Sequence, residues 1–364
     1  MIDWVTVSIP YPHSTPINGG NVVSILPTGE EDWRIEKRLQ VRGSFDSSIQ
    51  IKSEHKNGWC SNITLDGNPA KWLQGHNVWG SGDLAGLIIA CFERILPSVL
   101  PPTELKPLDL LVTFVHCGRL TRLDITYMYD LGNSQRVLTW IRAAANSADL
   151  SHRGKGDFSG DTLYWGKRSR RWALKMYSKG LELKVHRPKN KNCEKPDWLP
   201  SVTNYADGAL RVELVLRSME LDKMGLSTVM QWSEELLDEV YDSYLSGLKF
   251  SENMTISSEI SNIEKLPSRL RACALAWSEG HDLRTLYPRA TWYRYKNEIF
   301  KIIGLDISLA PPKQRPETSN VVPLVIVLEA KQMQVPEWAK GTPLYFEPPA
   351  YQNRVVPLFE RSKN

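Results

Sequence analysis

The sequence predicts an α+β fold, with an antiparallel sheet in residues 1–220 and a mainly helical region in residues 221–364. Two patterns carry that prediction. Up to Arg217, β-branched and aromatic stretches alternate with polar residues and are separated by Gly, Pro and Ser turns. From about Ser227 the apolar period lengthens, with Trp232, Leu236, Val240 and Tyr244 recurring at helical spacing. A hydrophobic share of 41% over 364 residues is that of a folded protein with room for two domains.

In chain order, strands are expected at Trp4 to Ile9, Val22 to Leu26, Trp33 to Val41 and Phe45 to Ser53. Asn68 and Pro69 read as the cap and first residue of a short helix ending at Leu73. A second helix follows Ser81-Gly-Asp83 and places Leu84, Leu87, Ile88, Cys91, Phe92 and Ile95 on one face. After a Pro-rich connection from Pro97 to Pro107 come a strand at Leu120 to Tyr129 and a helix at Ser134 to Ala145. Strands are expected again at Thr162 to Gly166, Arg171 to Ser178 and Ala209 to Arg217, the last after a long loop from Arg187 to Gly208 that contains three prolines. Helices are then expected at Ile263 to Trp277 and Trp292 to Ile303. A linker, APPKQRPETSN, precedes a last apolar strand at Val321 to Leu328.

Charge is concentrated. The whole chain nets only +4, yet Lys167 to Lys191 holds ten Lys or Arg against the single acid Glu182. Such a segment suits a polyanion such as nucleic acid, although a solvated basic loop explains it too. The five cysteines fall in no CxxC or zinc-ligand spacing and read as reduced thiols. The N-terminus has no basic leader and the longest apolar run, Leu84 to Phe92, is too short to cross a bilayer, so neither secretion nor membrane insertion is expected.

Three predicted strands share an apolar back and a charged front under period-two alternation. The fronts present Arg122, Asp124 and Thr126; Lys175, Tyr177 and Lys179; and Arg211, Glu213 and Arg217. If the strands are neighbours, two carboxylates, a phenol and several cations share one surface. That set suits phosphodiester chemistry. Asp124 and Glu213 can ligate a hard cation, Mg2+ or Mn2+, and the Tyr177 oxygen can attack phosphorus. A phenol with a pKa near 10 is a poor nucleophile at neutral pH, so Lys175 and Lys179 are expected to favour the phenolate.

A solvated antiparallel sheet shows the same alternation, and Tyr127, Tyr129, Tyr164 and Tyr205 compete for the nucleophile's role. His76, in NPAKWLQGHNVWGS, is a weaker third candidate ligand and reads more readily as structural; His116 stands alone in FVHCG. No His-hydrophobe-His pair, GxGxxG or P-loop motif occurs.

The segments NPAKWLQGHNVWG, RLDIT, KMYSKGLEL, ALRVELVLR, YPRATWYRY and NVVPLV resemble, in order and spacing, those of the filamentous phage gene II/X replication initiators. The resemblance runs from about residue 60 to 340. It implies a rolling-circle initiator: an antiparallel-sheet nuclease domain that nicks one strand of the double-stranded replicative form at the phage origin. It carries the nucleophile's role to Tyr177, with a 5′-phosphotyrosyl link and a free 3′-OH, and rejoining of the displaced single strand without ATP. It further implies a bacterial host cytoplasm and the host replication helicase and polymerase as partners, with self-association on DNA left open. Initiators of this broad kind usually ligate their metal with a His-hydrophobe-His pair, from which this sequence departs.

For DNA contact, Arg122, Lys167, Arg168, Arg170, Arg171 and Arg211 are the candidates in the first domain. In the second, TLYPRATWYRYKNEIFK interleaves Arg289 and Arg294 with aromatics, which suits phosphate contact and base stacking or, equally, an amphipathic helix with aromatics in its core. Two other functions stay open. A non-catalytic origin-binding regulator of the same family would bind without cutting. A tyrosine recombinase or type IB topoisomerase would need no metal, which the acidic strand faces argue against.

Overall fold

A computed structural model describes residues 1–43, 47–56, 59–185, 196–250, 263–278, 281, 283–303, 305, 307–308, 332–349 and 351. Its strands are β1 (Ile2–His13), β2 (Asn21–Ile25), β3 (Glu31–Glu36), β4 (Leu39–Arg42), β5 (Ser48–Lys56), β6 (Trp59–Gly67), β7 (Arg119–Asp130), β8 (Ala148–Leu150), β9 (Gly154–Lys155), β10 (Asp157–Ser159), β11 (Thr162–Trp165), β12 (Trp172–Ser178), β13 (Ala209–Arg217) and β14 (Leu248–Phe250). Nine of them form one antiparallel sheet in the order β10-β11-β12-β13-β7-β1-β6-β5-β4. The fold is α+β. The pair β2-β3 stands apart as a hairpin that exposes Ile25, Trp33 and Ile35.

The helices that pack on this sheet are α1 (Pro69–Gln74), α2 (Leu84–Val99), α3 (Leu108–His116), α4 (Ser134–Ser147), α5 (Lys179–Val185), α6 (Leu199–Tyr205), α7 (Ser218–Met224) and α8 (Glu234–Leu245). Local chemistry starts and stops them. The Asn68 side chain caps α1, Pro69 occupies its first turn, and Gly75 ends it at φ 91°, a left-handed conformation suited to glycine. Asp83 caps α2 through Gly86 N at 2.9 Å. Ile88, Phe92 and Ile95 of α2, Val112 and Val115 of α3, Trp140 and Ile141 of α4 and Tyr241 of α8 join Leu123, Ile125, Leu174, Met176 and Leu214 of the sheet's back in one core.

Several expectations change here. The connection after Pro97 is shorter than its prolines suggest, because α2 carries Pro97 in its last turn and α3 starts directly after Pro107. The loop from Arg187 to Gly208 contains α6, with Pro200 in its first turn where no amide hydrogen is required. Strand β6 and helices α3, α5 and α7 add elements that the apolar pattern did not single out. The main core also continues past residue 220, since Leu237, Val240, Tyr241 and Leu248 belong to it.

Helices Ser268–Ser278, Leu283–Leu286 and Arg289–Ile303 form a second core around Leu270, Cys273, Trp277, Trp292 and Ile299. Residues 332–349 return to the sheet domain: Met333 N donates to Met128 O at 2.8 Å and Trp79 Nε1 to Leu344 O at 2.8 Å. The predicted strand Val321 to Leu328, the linker before it and Cys193 lie outside the described residues. Cys60, Cys91, Cys117 and Cys273 are free thiols. Among the described residues no helix is long and apolar enough to cross a membrane.

Candidate active site

The three strands with charged fronts are neighbours, in the order β12-β13-β7. Register sets Lys175 opposite Glu213, Tyr177 opposite Arg211, and Glu213 opposite Thr126 on its other side. The centre of the front is buried. Asp124 and Glu213 are each 1% exposed and Arg211 is 0% exposed. The cover comes from distant segments: Val78 and Trp79 after α1, Val202 of α6 and Ala206 just after it, and Ala339 pack around Met128 and Ala209. A row of buried charges has to be paired internally, which removes the solvated-sheet alternative.

The structure adds a residue that alternation hides. Asp3 has the parity of Val5, Val7 and Ile9, which face the core. Between β1 and β7, however, Ile2 pairs with Ile125 and Trp4 with Asp124, so Asp3 is the extra residue of a β-bulge. The bulge turns its carboxylate to the front, where Asp3, Asp124 and Glu213 bring ligand oxygens within 4.8 Å of one another, all three buried.

Each acid is held differently. Asn68 Nδ2 at 2.6 Å, Arg211 Nη2 at 2.7 Å and Asn77 Nδ2 at 2.8 Å all donate to Asp3 Oδ1. Asp124 accepts a two-pronged pair from Arg122, Nε at 2.8 Å and Nη2 at 2.6 Å. Glu213 Oε1 accepts from Arg211 Nε at 3.0 Å and from the Tyr177 hydroxyl. Glu213 Oε2 is paired with the Lys175 ammonium. Burial pushes Asp124 up to about 6 against the pull of Arg122. Burial acts the same way on Asp3, but Arg211, Lys175 and Lys179 outweigh it and hold that carboxyl below the usual range. Three converging carboxylates, all oxygen donors, fit a hard divalent cation.

Tyr177 meets this group through its hydroxyl, but its chemistry differs from the sequence expectation. Burial raises its pKa well above the ordinary value, only partly opposed by Arg211. The two lysines expected to favour the phenolate are engaged elsewhere: Lys175 with Glu213, and Lys179 with Asn77 Oδ1 at 2.8 Å and Glu182 Oε2 at 2.6 Å. Resting Tyr177 is therefore a neutral phenol that donates to a carboxylate, and its proton has an acceptor in place. Of the competing tyrosines, Tyr127 donates to Asp238, Tyr129 pairs with Tyr241 in the core and Tyr205 donates to Gln334 O at 2.5 Å. Tyr164 lines the same cavity of about 360 Å³ as Tyr177, with Asp161, Lys175 and Glu182.

His76 does not join the acids. It lies edge-on to Trp79 with ring centroids 4.5 Å apart and near Trp198 at 5.5 Å, and burial lowers its pKa to about 4. Arg211 is corrected from a DNA contact to an internal partner of the acids, and Arg122 pairs with Asp124 while its side chain stays partly exposed. Arg211 is fully buried, while Arg122 also lies over the Trp4 ring at 5.2 Å. Lys167, Arg168, Arg170 and Arg171 are on the β11-β12 turn and the residues after it, largely exposed. Arg289 and Arg294 are exposed on the helix Arg289–Ile303, over Tyr293 at 6.0 Å and Tyr295 at 5.5 Å, while Trp292 is committed to the second core. Asp3, Asn68 and Asn77 were missed by sequence reasoning. The only sequence signal for Asn77 is its place beside His76 in the quoted motif.

Over residues 1–235 the sequence matches the family described as the N-terminal part of the phage gene II replication-associated protein, and over residues 256–344 that described as its C-terminal part. The chain belongs to the gene II replication-associated protein family. The replication-associated protein of Enterobacteria phage I2-2 is 36% identical over 345 residues, covering 92% of this chain and 95% of that protein. Those of Salmonella phage IKe and Enterobacteria phage M13 are 25% and 24% identical, covering 80% and 76% of this chain and 77% and 76% of their own lengths. A solved structure of a rolling circle replication initiator protein from Geobacillus stearothermophilus aligns with a TM-score of 0.34 at 11% identity, over 70% of this chain and 87% of that one.

Proposed function

We propose that this member of the gene II family initiates rolling-circle replication of a filamentous phage genome by nicking one strand of the duplex origin through Tyr177. The hydrogen bond from the Tyr177 hydroxyl to Glu213, a member of the buried carboxylate group, carries this reading. Asp3, Asp124 and Glu213 would hold a divalent ion, Mg2+ or Mn2+, which supplies charge neutralisation at the scissile phosphate.

The protein's own groups do the rest. Glu213 Oε1 takes the phenolic proton as the Tyr177 oxygen bonds to phosphorus. The bond from phosphorus to the 3′-oxygen breaks, its electron pair stays on that oxygen, and protonation gives a free 3′-OH. The 5′-phosphate remains on Tyr177 as a phosphodiester, so attack by a 3′-OH reverses the step and closes a circle without ATP. Arg211 and Arg122 hold the acids in place throughout. The cations Lys167, Arg168, Arg170 and Arg171 would bind the DNA backbone, with Arg289 and Arg294 extending the grip. The 3′-OH is what a host polymerase extends, and a host helicase would open the duplex ahead of it.

Supercoiled replicative-form DNA with Mg2+ tests this directly. Wild type should give an open circle, and Tyr177→Phe should bind the origin equally well and leave the DNA supercoiled. Wild-type binding without a nick would leave an origin-binding regulator in place of an enzyme.

A further inference from the structure

Among the described residues, Arg122, Arg211, Lys179 and Lys175 surround the buried acids, and the first three are committed. Arg122 is spent on both oxygens of Asp124. Arg211 divides its donors among Asp3, Glu213 Oε1 and the Asn77 carbonyl. Lys179 bonds Asn77 and Glu182. Lys175 is different. Its ammonium pairs with Glu213 Oε2, and Asp124 and Asp3 also act on it electrostatically.

We infer that the Lys175 ammonium is a tethered counter-ion that stands in for the divalent ion beside Asp3, Asp124 and Glu213 and gives way when the ion binds, moving into the cavity beside Tyr177. Three observations support this. A lysine is a point charge on a flexible stem, whereas the planar arginines beside it are fixed by several bonds each. Lys175 is 21% exposed where Glu213 is 1%, so its stem reaches in from the rim. The same side chain lines the cavity of about 360 Å³ that Tyr177, Tyr164 and Glu182 share, which provides a place for the displaced charge. The exchange keeps the buried acids charge-compensated in both states, which limits the cost of leaving anions in a dry site.

This inference rests on the metal-binding part of the proposed function, and Mn2+ binding followed by the electron paramagnetic resonance of the free ion separates the two. On the full chain without DNA, Lys175→Met should bind Mn2+ about tenfold or more tightly than wild type, because the competing charge no longer reduces the fraction of competent sites. Lys175→Arg should bind no more tightly than wild type. Should the methionine variant fail to fold, Lys175→Gln, which keeps a donor beside Glu213 without its charge, carries the same expectation. Equal or weaker binding by the neutral variant, with wild type still binding, overturns the counter-ion and leaves the metal site standing. No Mn2+ binding by any of the proteins overturns both.

Discussion

Arg211 Nη2 lies 2.7 Å from Asp3 Oδ1, joining β13 to a residue 208 positions earlier in the chain. The same guanidinium reaches Glu213 through Nε at 3.0 Å, so one buried cation separates two buried carboxylates. Removing it should leave both uncompensated. Arg211→Met is expected to destabilise the protein by about 3–5 kcal/mol, measured by urea unfolding. A loss confined to DNA affinity, with stability intact, would show that the residue faces DNA after all.

Asp3 is where sequence and site part most clearly. Asp3→Asn keeps an acceptor oxygen for Asn68, Asn77 and Arg211 but removes a charged ligand. Nicking should fall roughly 100-fold or more, well beyond any loss of folded protein that the weakened Arg211 pair causes, as read by a nicking time course beside a melting curve. Unchanged nicking would exclude Asp3 from the metal group.

The basic turn offers a test of DNA binding without any effect on the fold. Lys167, Arg168 and Arg170 lie at the surface, so replacing all three with Ala should alter stability by no more than about 0.5 kcal/mol per site. The slope of log affinity against log salt should become shallower by about 0.9 for each phosphate that is no longer neutralised, read by fluorescence anisotropy on origin duplex. An unchanged slope would return these residues to a solvated loop.

His76 supplies a pH signature of a structural histidine. Its folded pKa is lowered to about 4 from an ordinary 6.5, so the unfolded chain binds its proton more readily. The stability that the neutral ring contributes is complete above pH 6.5 and is lost as pH falls from there toward 4. By pH 5 the loss should reach about 2 kcal/mol in wild type. His76→Gln should lack this component, and urea unfolding at pH 7 and pH 5 would show it. Identical slopes would remove His76 from the buried aromatic cluster.

Much of the site was legible because period two survives in the central strands. Asp124, Tyr177 and Glu213 lie on one face as alternation requires, and β13 runs over the residues predicted. Asp3 was hidden because a one-residue bulge reverses parity, and no local pattern announces a bulge. The burial of the front was hidden for another reason. Its cover comes from Val78, Val202 and Ala339, which are far apart in the chain and individually ordinary. That burial inverted the expected effect on Tyr177: local spacing suggested a phenol surrounded by free cations, and the structure pairs those cations with acids. Helix α6 was obscured by Pro196 and Pro200, which read as breakers, although a first helical turn accommodates proline.

The most direct test of Tyr177 as the nucleophile is to react the purified chain with supercoiled origin DNA and Mg2+, digest the product and locate the attached nucleotide by mass spectrometry. The expected result is one 5′-phosphate ester, on the oxygen of Tyr177, at a single origin position. An adduct on another tyrosine such as Tyr164, or a nick with no protein attached, would contradict it.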